Sequence, residues 1–459
     1  MVNNGLLKTV NFSETEQWNV KYFFSTAITS KYPISNIGKH TIHINKKTKL
    51  SNEPEKEFRI LGISNEIGMF DAYTEFGKNI NQPYIYVEDG CLAYNPYRIN
   101  VGSIGLKTNK LRNEYISPAY VVFKCKETIL PEYLFIILKS SMLNVLIKEN
   151  TTGSVRQTLS YENLAKIKIP VPSSLEEQKK IVNNYKETIS NSENARKAAV
   201  DLEKSIDDYL FELLEISPIE SSQNHNNIIG KTNFKNLFGW GAQINLNPLK
   251  PQEIFRSKKF TNVPLEHYCE INPKTTYPSD VNKVSFIPME SVSEVYGEII
   301  NSQVSETSNS KGFTRFMEND VLWAKITPCM QNGKCVVANH LKNGYGFGST
   351  EFHVLRPNNN ALPEYIYCFL RTSILRKAAT TYFTGSAGQQ RVGANFLEAI
   401  TIPNIPIRSN NKNLITQEKI VSDIFTIKHN IKAAYAKSEA LQKKADDDFT
   451  NMVFCKNNF

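Results

Sequence analysis

Two stretches of helical periodicity dominate the pattern of apolar and polar positions. Ile420, Ile424, Ile427, Ile431, Ala434, Ser438, Leu441, Ala445 and Met452 fall mostly at alternating steps of four and three. So narrow a stripe, with lysine-rich faces outside it, predicts a coiled-coil helix about four heptads long. A second long helix is predicted from Leu175 to about Leu214. Val182, Tyr185 and Ile189 begin its seam, Asn-Ser-Glu-Asn at 191–194 interrupts it, and Ala195, Ala199, Leu202, Ile206, Tyr209 and Leu213 resume it. The step from 189 to 195 resembles a stammer. A helix of about forty residues spans roughly 60 Å. Each stripe needs one partner helix, and the simplest is the other stripe, so an antiparallel pair holding a globular domain at either end is expected.

Ahead of each long helix the pattern shortens and repeats. LPEYLFIILKS at 130–140 returns as LPEYIYCFLRT at 362–372, about half the chain later. INKKTKL at 44–50 matches INPKTTY at 271–277, and VEDGCLAYN at 87–95 matches MENDVLWAK at 317–325. NTTGSVRQTLSYENLAKIKIPVP at 150–172 matches YFTGSAGQQRVGANFLEAITIPNIP at 382–406, and EEQKKIVNNY at 176–185 matches TQEKIVSDIF at 416–425. A period this long marks a duplicated domain, not a solenoid. In each copy, strand-like runs such as YVVFKC at 120–125 and FHVLRP at 352–357 precede a short helix with Pro131 or Pro363 in its first turn. A Thr-Gly-Ser loop, a short apolar strand and the long helix follow. The polar, turn-rich SSQNHNNIIGKTN at 221–233 reads as the linker between copies.

Composition narrows the class. The 459 residues suffice for two or three domains, and 41% hydrophobic with 22% charged residues describes an ordinary soluble globular protein. The formal charge of +9 permits an anionic partner such as nucleic acid. Seven scattered cysteines, with no Cys-x-x-Cys and no His-x-x-x-His, predict neither a zinc site nor a disulfide framework. No apolar run is long enough to cross a bilayer and the N-terminus lacks a signal-like core, so a cytoplasmic protein with no membrane partner is expected.

Catalytic signatures are missing: there is no phosphate-binding Gly-x-x-x-x-Gly-Lys loop, no Gly-x-Ser-x-Gly elbow and no Pro-Asp dipeptide. AYNPYR at 93–98 lacks the second proline of an adenine-gripping Asn-Pro-Pro-Tyr, and GYGFGS at 344–349 runs into a strand instead of a helix N-terminus. The chain is therefore expected to be no enzyme. What remains is a set of polar and basic loops able to hold phosphates or read base edges. In the first copy the candidates are Arg98, Asn100, Lys107, Lys110 and Arg112, with Thr152, Gly153, Ser154, Arg156 and Gln157 of the Thr-Gly-Ser loop. In the second they are Lys325, Thr327, Gln331, Asn332 and Lys334, with Thr384, Gly385, Ser386, Gln389, Gln390 and Arg391. For any single loop residue an ordinary solvated side chain is the competing reading.

On these motifs, above all NDVLWAKITPCMQNGK…GFGSTEFHVLRP at 319–357 and TGSVRQ…IPVPSSLEEQKKIV at 152–182, the chain resembles the DNA-specificity subunit of type I restriction-modification systems. The resemblance implies an α+β fold with two repeated α/β target recognition domains, separated by two long helices that form an antiparallel coiled coil, in pseudo-twofold arrangement. The corresponding divisions are an N-terminal segment 1–25, recognition domain 26–173, central spacer helix 174–216, linker and approach to the second repeat 217–258, recognition domain 259–413 and C-terminal spacer helix 414–455. Val182, Tyr185, Ile189, Leu202, Ile206, Ile420, Ile424, Ile427, Ile431 and Leu441 would pack the spacer.

The resemblance also implies double-stranded DNA with a bipartite site as partner, each domain reading one half. Two modification subunits using S-adenosylmethionine would methylate adenine, and a motor-nuclease subunit using ATP and Mg would be a further partner. The chain itself would bind no cofactor. The first copy has Asn-Pro-Tyr-Arg at 95–98 where the second has Lys-Ile-Thr-Pro at 325–328, so different half-sites are expected. Two alternatives stay open: a specificity chain of a type II-like cleaving complex, and a coiled-coil scaffold that binds no DNA.

Overall fold

The structure, a computed structural model, describes residues 28–151, 157–217, 250–295, 297–386, 388–411 and 413–455. The segment 1–25 and residues 218–249 of the expected linker lie outside the described residues. The rest divides into two compact units, one ending at Asn194 and resuming at Lys437, the other running from Ala195 to Ala436. The two long helices, Leu175–Leu213 and Gln417–Val453, each contribute one half to each unit.

In the first unit, strands Thr41–Ile44, Val121–Cys125, Cys91–Tyr94 and Ile104–Leu106 form an antiparallel sheet in that order. Its alternating side chains are buried on both faces. Leu92, Tyr94 and Phe123 pack on the helices that include Pro131–Lys139 and Ser141–Glu149, whereas Cys91, Ala93 and Val122 face a second sheet. That sheet orders Lys47–Thr48, Tyr84–Tyr86, Tyr115–Ile116, Glu57–Ser64 and Gly68–Phe76, with one parallel pairing between Tyr115–Ile116 and Glu57–Ser64. Strand Ile34–Asn36 pairs with Lys168–Pro170 just before the long helix.

The second unit repeats this plan. Cys269–Ile271, Phe352–Pro357, Val321–Ala324 and Cys335–Val337 form the central antiparallel sheet. Thr314–Met317, Tyr345–Gly348, Lys283–Ile287 and Gln303–Glu306 form the second sheet, again with one parallel pairing at its centre. Asn262–Pro264 pairs with Thr401–Pro403 before the last helix. Ile254 and Phe255, within the stretch expected to be linker, are fully buried in this unit's core.

The structural correspondence differs by one residue from the sequence alignment in the central strand. The sequence places Gly90 over Asp320; in the structure Gly90 (φ 84°) and Asn319 (φ 69°) occupy the same left-handed turn position. The Gly90 amide donates to the Lys107 carbonyl at 2.9 Å, and the Asn319 amide to the Ala338 carbonyl at 2.8 Å. Glycine adopts this backbone freely and asparagine more readily than most other residues, which is why these two residues correspond. Because strand side chains alternate, the slip exchanges faces: Leu92 corresponds to Val321 and not to Leu322, which faces the second sheet.

Within each unit the long-helix segments run antiparallel, as their partners show. In the first, the Tyr185 hydroxyl donates to Asp446 at 3.2 Å, and Ser192 Oγ donates to the Ser438 carbonyl at 2.8 Å. In the second, the Tyr435 hydroxyl donates to Glu203 at 3.1 Å, and Tyr209 bonds Asp423. The helix continues unbroken through Asn-Ser-Glu-Asn, and Ser192 with Ser438 forms a buried polar layer where the apolar seam lapses. Val182, Ile420, Ile424 and Ile431 are buried in the seam; Tyr185, Ile189, Leu202, Ile206, Ile427 and Leu441 are half-buried at its margin. Phe449 and Val453 carry the last helix into the first unit's core.

One joint occurs in both units. Pro131 and Pro363 open their helices with preset φ and no amide to satisfy. The amides of Leu130 and Leu362, just ahead of them, donate to the side chains of Gln178 and Gln417 at 2.8 Å each. Gln178 Nε2 returns bonds to the carbonyls of Thr128 at 3.1 Å and Pro172 at 3.0 Å. Gln417 Nε2 does the same to Asn360 and Ile405, both at 2.8 Å. Both glutamines are 0% exposed. Gln178→Leu or Gln417→Leu should destabilise its own unit by about 2 kcal/mol, since the change leaves one buried carbonyl without its partner and removes the partner of a half-buried N–H and a second carbonyl. Chemical denaturation read by hydrogen exchange in each unit checks this; an unchanged midpoint would make the joint dispensable.

Candidate nucleic-acid interface

In the second unit the loop after strand Val321–Ala324 lies beside the end of the Thr-Gly-Ser loop. The Thr327 amide donates to the Gln390 carbonyl at 3.0 Å and the Val392 amide to the Lys325 carbonyl at 2.9 Å, forming a bridge between Ile326 and Arg391. Lys325, Thr327, Gln331, Gln390 and Arg391, remote in sequence, are thereby placed on neighbouring strands of loop. Thr327 Oγ1 bonds Gln331 Oε1. Thr384 lies on the short strand Phe383–Thr384, and Gly385, Ser386 and Gln389 form the exposed turn to Arg391.

Arg391 is held by Glu351 through Nε to Oε2 at 2.9 Å and Nη2 to Oε1 at 2.7 Å, and its Nη1 donates to the Gln389 carbonyl at 2.8 Å. The guanidinium lowers the Glu351 pKa, outweighing desolvation, with Lys325 a smaller contributor. Asn332 donates to Glu294 at 3.1 Å, and Lys334, 12% exposed, donates to the Met289 carbonyl at 3.0 Å. These two therefore shape the base of the loop.

Beside this loop opens a cleft of about 510 Å³. Lys274, Arg315 and Lys325 line it with Thr276, Phe313 and His353. None of the three cations forms an ion pair among the described residues. Arg315 lies over the Tyr277 ring at 5.0 Å, and Phe313 exposes its ring. Three unpaired cations and an exposed aromatic suit a phosphate-bearing, stackable ligand. Burial lowers the His353 pKa, more than the Val392 carbonyl raises it, and Lys325 lowers it further while Glu351 opposes this. Its Nε2 donates to that carbonyl at 2.9 Å, leaving Nδ1 to accept from Asn272 Nδ2 at 3.0 Å.

Lys274 and Thr276 belong to INPKTTY, whose recurrence in the sequence is visible though its place beside the cleft is not. Arg315 and Phe313 carry no sequence signal; strand pairing alone brings them there.

In the first unit the equivalent backbone bond joins the Leu159 amide to the Pro96 carbonyl at 3.0 Å, so Pro96-Tyr97-Arg98 stands where the second unit has Lys325-Ile326-Thr327. Arg98 is exposed and Asn100 half-buried in the turn that follows. Gln157 is exposed beside Thr151, whose hydroxyl donates to it at 3.3 Å. Thr152, Gly153, Ser154 and Arg156 lie outside the described residues. Lys110 and Arg112 are exposed on a separate loop, pinned where Asp71 accepts from the amides of Arg112 at 3.1 Å and Asn113 at 2.9 Å. Lys107 is only 5% exposed, and its ammonium is engaged by Asp89 at 3.0 Å and the Leu111 carbonyl at 2.6 Å. It organises that loop from within.

The family described as type I restriction modification DNA specificity domain matches residues 29–202 and 257–443, more than half of the chain and once in each repeat. The chain belongs to this family. Among curated relatives, the type I restriction enzyme EcoAI specificity subunit of Escherichia coli is 34% identical over 175 residues, 38% of this chain and 29% of that protein. The EcoEI specificity subunit of Escherichia coli is 36% identical over 146 residues, 31% of this chain and 25% of that protein. The chain thus spans less than a third of the length of either relative in these matches. A solved chain from work on the structural basis underlying complex assembly and conformational transition of the type I R-M system has a TM-score of 0.56 at 14% identity. It covers 93% of this chain and 98% of its own length, a likeness of fold. Among the described residues, no group of His, Cys, Asp and Glu could hold a metal, and no helix is long and apolar enough to cross a membrane.

The Glu351–Arg391 pair makes a pH-dependent contribution of known sign. A carboxylate whose folded pKa is lowered stabilises fully above the ordinary glutamate value and loses that contribution as pH falls through the lowered one. Thr384 and Gly388–Val392 should therefore gain amide exchange as pH falls below the ordinary glutamate value, after correction for intrinsic rates, and Glu351→Gln should remove the pH dependence. An unchanged profile in the variant would exclude the pair as its cause.

Proposed function

We propose that the chain is the non-catalytic DNA-specificity subunit of a type I restriction-modification complex, each repeat reading one half of a bipartite duplex site. The observation that carries this is the pair of equivalent loops: one backbone bond and one sheet plan hold Lys325-Ile326-Thr327 in one unit and Pro96-Tyr97-Arg98 in the other. A common scaffold with different donors and acceptors is what reading two different half-sites requires. Sequence-specific contacts would come from Arg98, Asn100, Lys110, Arg112 and the Thr152–Gln157 loop in the first repeat. In the second they would come from Lys325, Thr327, Gln331 and the Thr384–Arg391 loop, with Lys274 and Arg315 supplying phosphate contacts.

On this reading the functional modules are 26–173 and 259–413 as recognition domains, and 174–216 with 414–455 as the helices that set the gap between half-sites. The chain carries no cofactor of its own and acts in the cytoplasm. Two modification subunits bearing S-adenosylmethionine flip and methylate an adenine in each half-site, and a motor-nuclease subunit with ATP and Mg completes the restricting complex. The relatives' names, as specificity subunits of type I restriction enzymes, support the assignment.

Mapping N6-methyladenine across genomic DNA with and without this chain, its modification partner present in both, should show a split motif that disappears with the chain. Absence of any lost motif would count against the reading. In the assembled complex, Lys274→Ala should reduce the log–log salt slope of DNA binding by about 0.9, the value for one phosphate contact. A slope unchanged from wild type, or binding that ignores sequence, would favour a scaffold.

A further inference from the structure

The second unit holds a cluster of cations that the DNA reading does not use. A cavity of about 450 Å³ lies between its two long-helix segments and the helices Pro363–Arg371 and Ser373–Thr380. Arg371, Arg376 and Lys428 line it together. None of the three forms an ion pair among the described residues, although Glu203, Asp207 and Asp208 share the lining with Lys204.

Asp207 and Glu203 are engaged elsewhere. Asp207 accepts from the Ser373 amide at 2.7 Å and hydroxyl at 2.6 Å, capping a helix. Glu203 accepts from the Tyr435 hydroxyl at 3.1 Å. Arg371 is held from behind, where its Nη2 donates to the carbonyls of Glu294 at 2.9 Å and Val295 at 3.2 Å, and Arg376 Nη1 donates to the Gln331 carbonyl at 2.8 Å. Lys428 donates to the Tyr367 hydroxyl at 3.1 Å. After these bonds, Arg371 Nη1 and Arg376 Nε remain buried without a hydrogen-bond acceptor.

The turn behind Arg371 is built around Gly297 (φ 58°), where a Cβ would come within 2.3 Å of Arg371 Nη1 and 2.2 Å of the Tyr367 hydroxyl. Burial and then the Arg371 charge both lower the pKa of Arg376 and of Lys428. Like charges gathered out of water with vacant donors are costly unless an anion joins them.

We propose that this cavity binds a phosphate dianion, free or as a small phosphate monoester, between Arg371, Arg376 and Lys428. The guanidiniums offer forked donors and Lys428 a point charge, the usual division of labour at a phosphate. A dianion fits three cations better than a singly charged phosphodiester of duplex DNA. The site does not rest on the DNA reading, because its occupancy is measured without DNA.

Isothermal titration of the full chain with sodium phosphate and with AMP, at constant ionic strength against sodium chloride, tests it. Saturable binding of phosphate at one site per chain is expected. Lys428→Met and Arg376→Gln should each weaken it at least tenfold, and Lys428→Arg should retain it. AMP binding tighter than phosphate would identify a monoester as the ligand, and AMP no tighter would identify free phosphate. No saturable binding by the wild-type chain, unchanged binding in both weakening variants, or binding confined to duplex DNA would overturn the assignment.

Discussion

A buried glutamine amide at the start of each long helix is the constraint on which each unit depends. Gln178 and Gln417 each accept from the amide preceding a proline-initiated helix and donate to two carbonyls of the flanking chain. The Pro172 and Ile405 carbonyls are bonded where the contact is buried, and the other groups are half-buried, so the amide joins three segments while satisfying polar groups that the packing largely shields. Once the joint is made, the short helix lies across the central sheet, and its tyrosine bonds the end of the strand that leads into the long helix. Tyr133 donates to the Pro170 carbonyl at 3.0 Å and Tyr365 to that of Pro403 at 2.9 Å. Strand, short helix and long helix are thus fixed as one piece in both units.

On this common frame the two copies have diverged where the frame allows it. The second unit buries a bidentate pair, Arg356 Nε to Asp320 at 2.9 Å and Nη2 at 2.8 Å, with Nη2 also reaching Thr275. The first unit places apolar Cys91 at the position equivalent to Asp320 and needs no such pair. The loops differ more, because only their backbone bonds are shared: the Pro96 and Lys325 carbonyls accept equivalent amides whatever their side chains are. Conserved main-chain bonding with variable side chains lets a recognition surface change without cost to the core. The cavity at Arg371 has no such freedom, since its two arginines are held by backbone carbonyls and Lys428 by the Tyr367 hydroxyl.

Much of the architecture is legible in the sequence for identifiable reasons. The duplication shows because Leu-Pro-Glu-Tyr must supply a proline start, an acid and a buried tyrosine in both copies. The long helices show because Ile420, Ile424 and Ile431 recur with the period of a helix seam. The strand correspondence is where linear matching fails. Identical letters favour one alignment, while the left-handed turn at Gly90 and Asn319 imposes another, one residue away. The Asn-Ser-Glu-Asn stretch reads as an interruption, yet Ser192 finds Ser438 across the helix pair and the helix continues. Lys107 and Lys334 read as free loop cations, but tertiary partners absorb both.

What the sequence by itself determined was periodicity and repetition: two units of one plan, two long helices, and basic loops at matching places in each unit. These follow from local backbone preference and from side-chain spacing along one segment, which a linear string contains. Only the tertiary structure decided which cations stay unpaired. Lys274, Arg315 and Lys325 meet at one cleft although far apart in sequence, and Arg371, Arg376 and Lys428 meet at another cavity. Whether a charge is neutralised depends on carboxylates and carbonyls brought close by sheet pairing and helix packing, and that proximity exists only once the chain has folded.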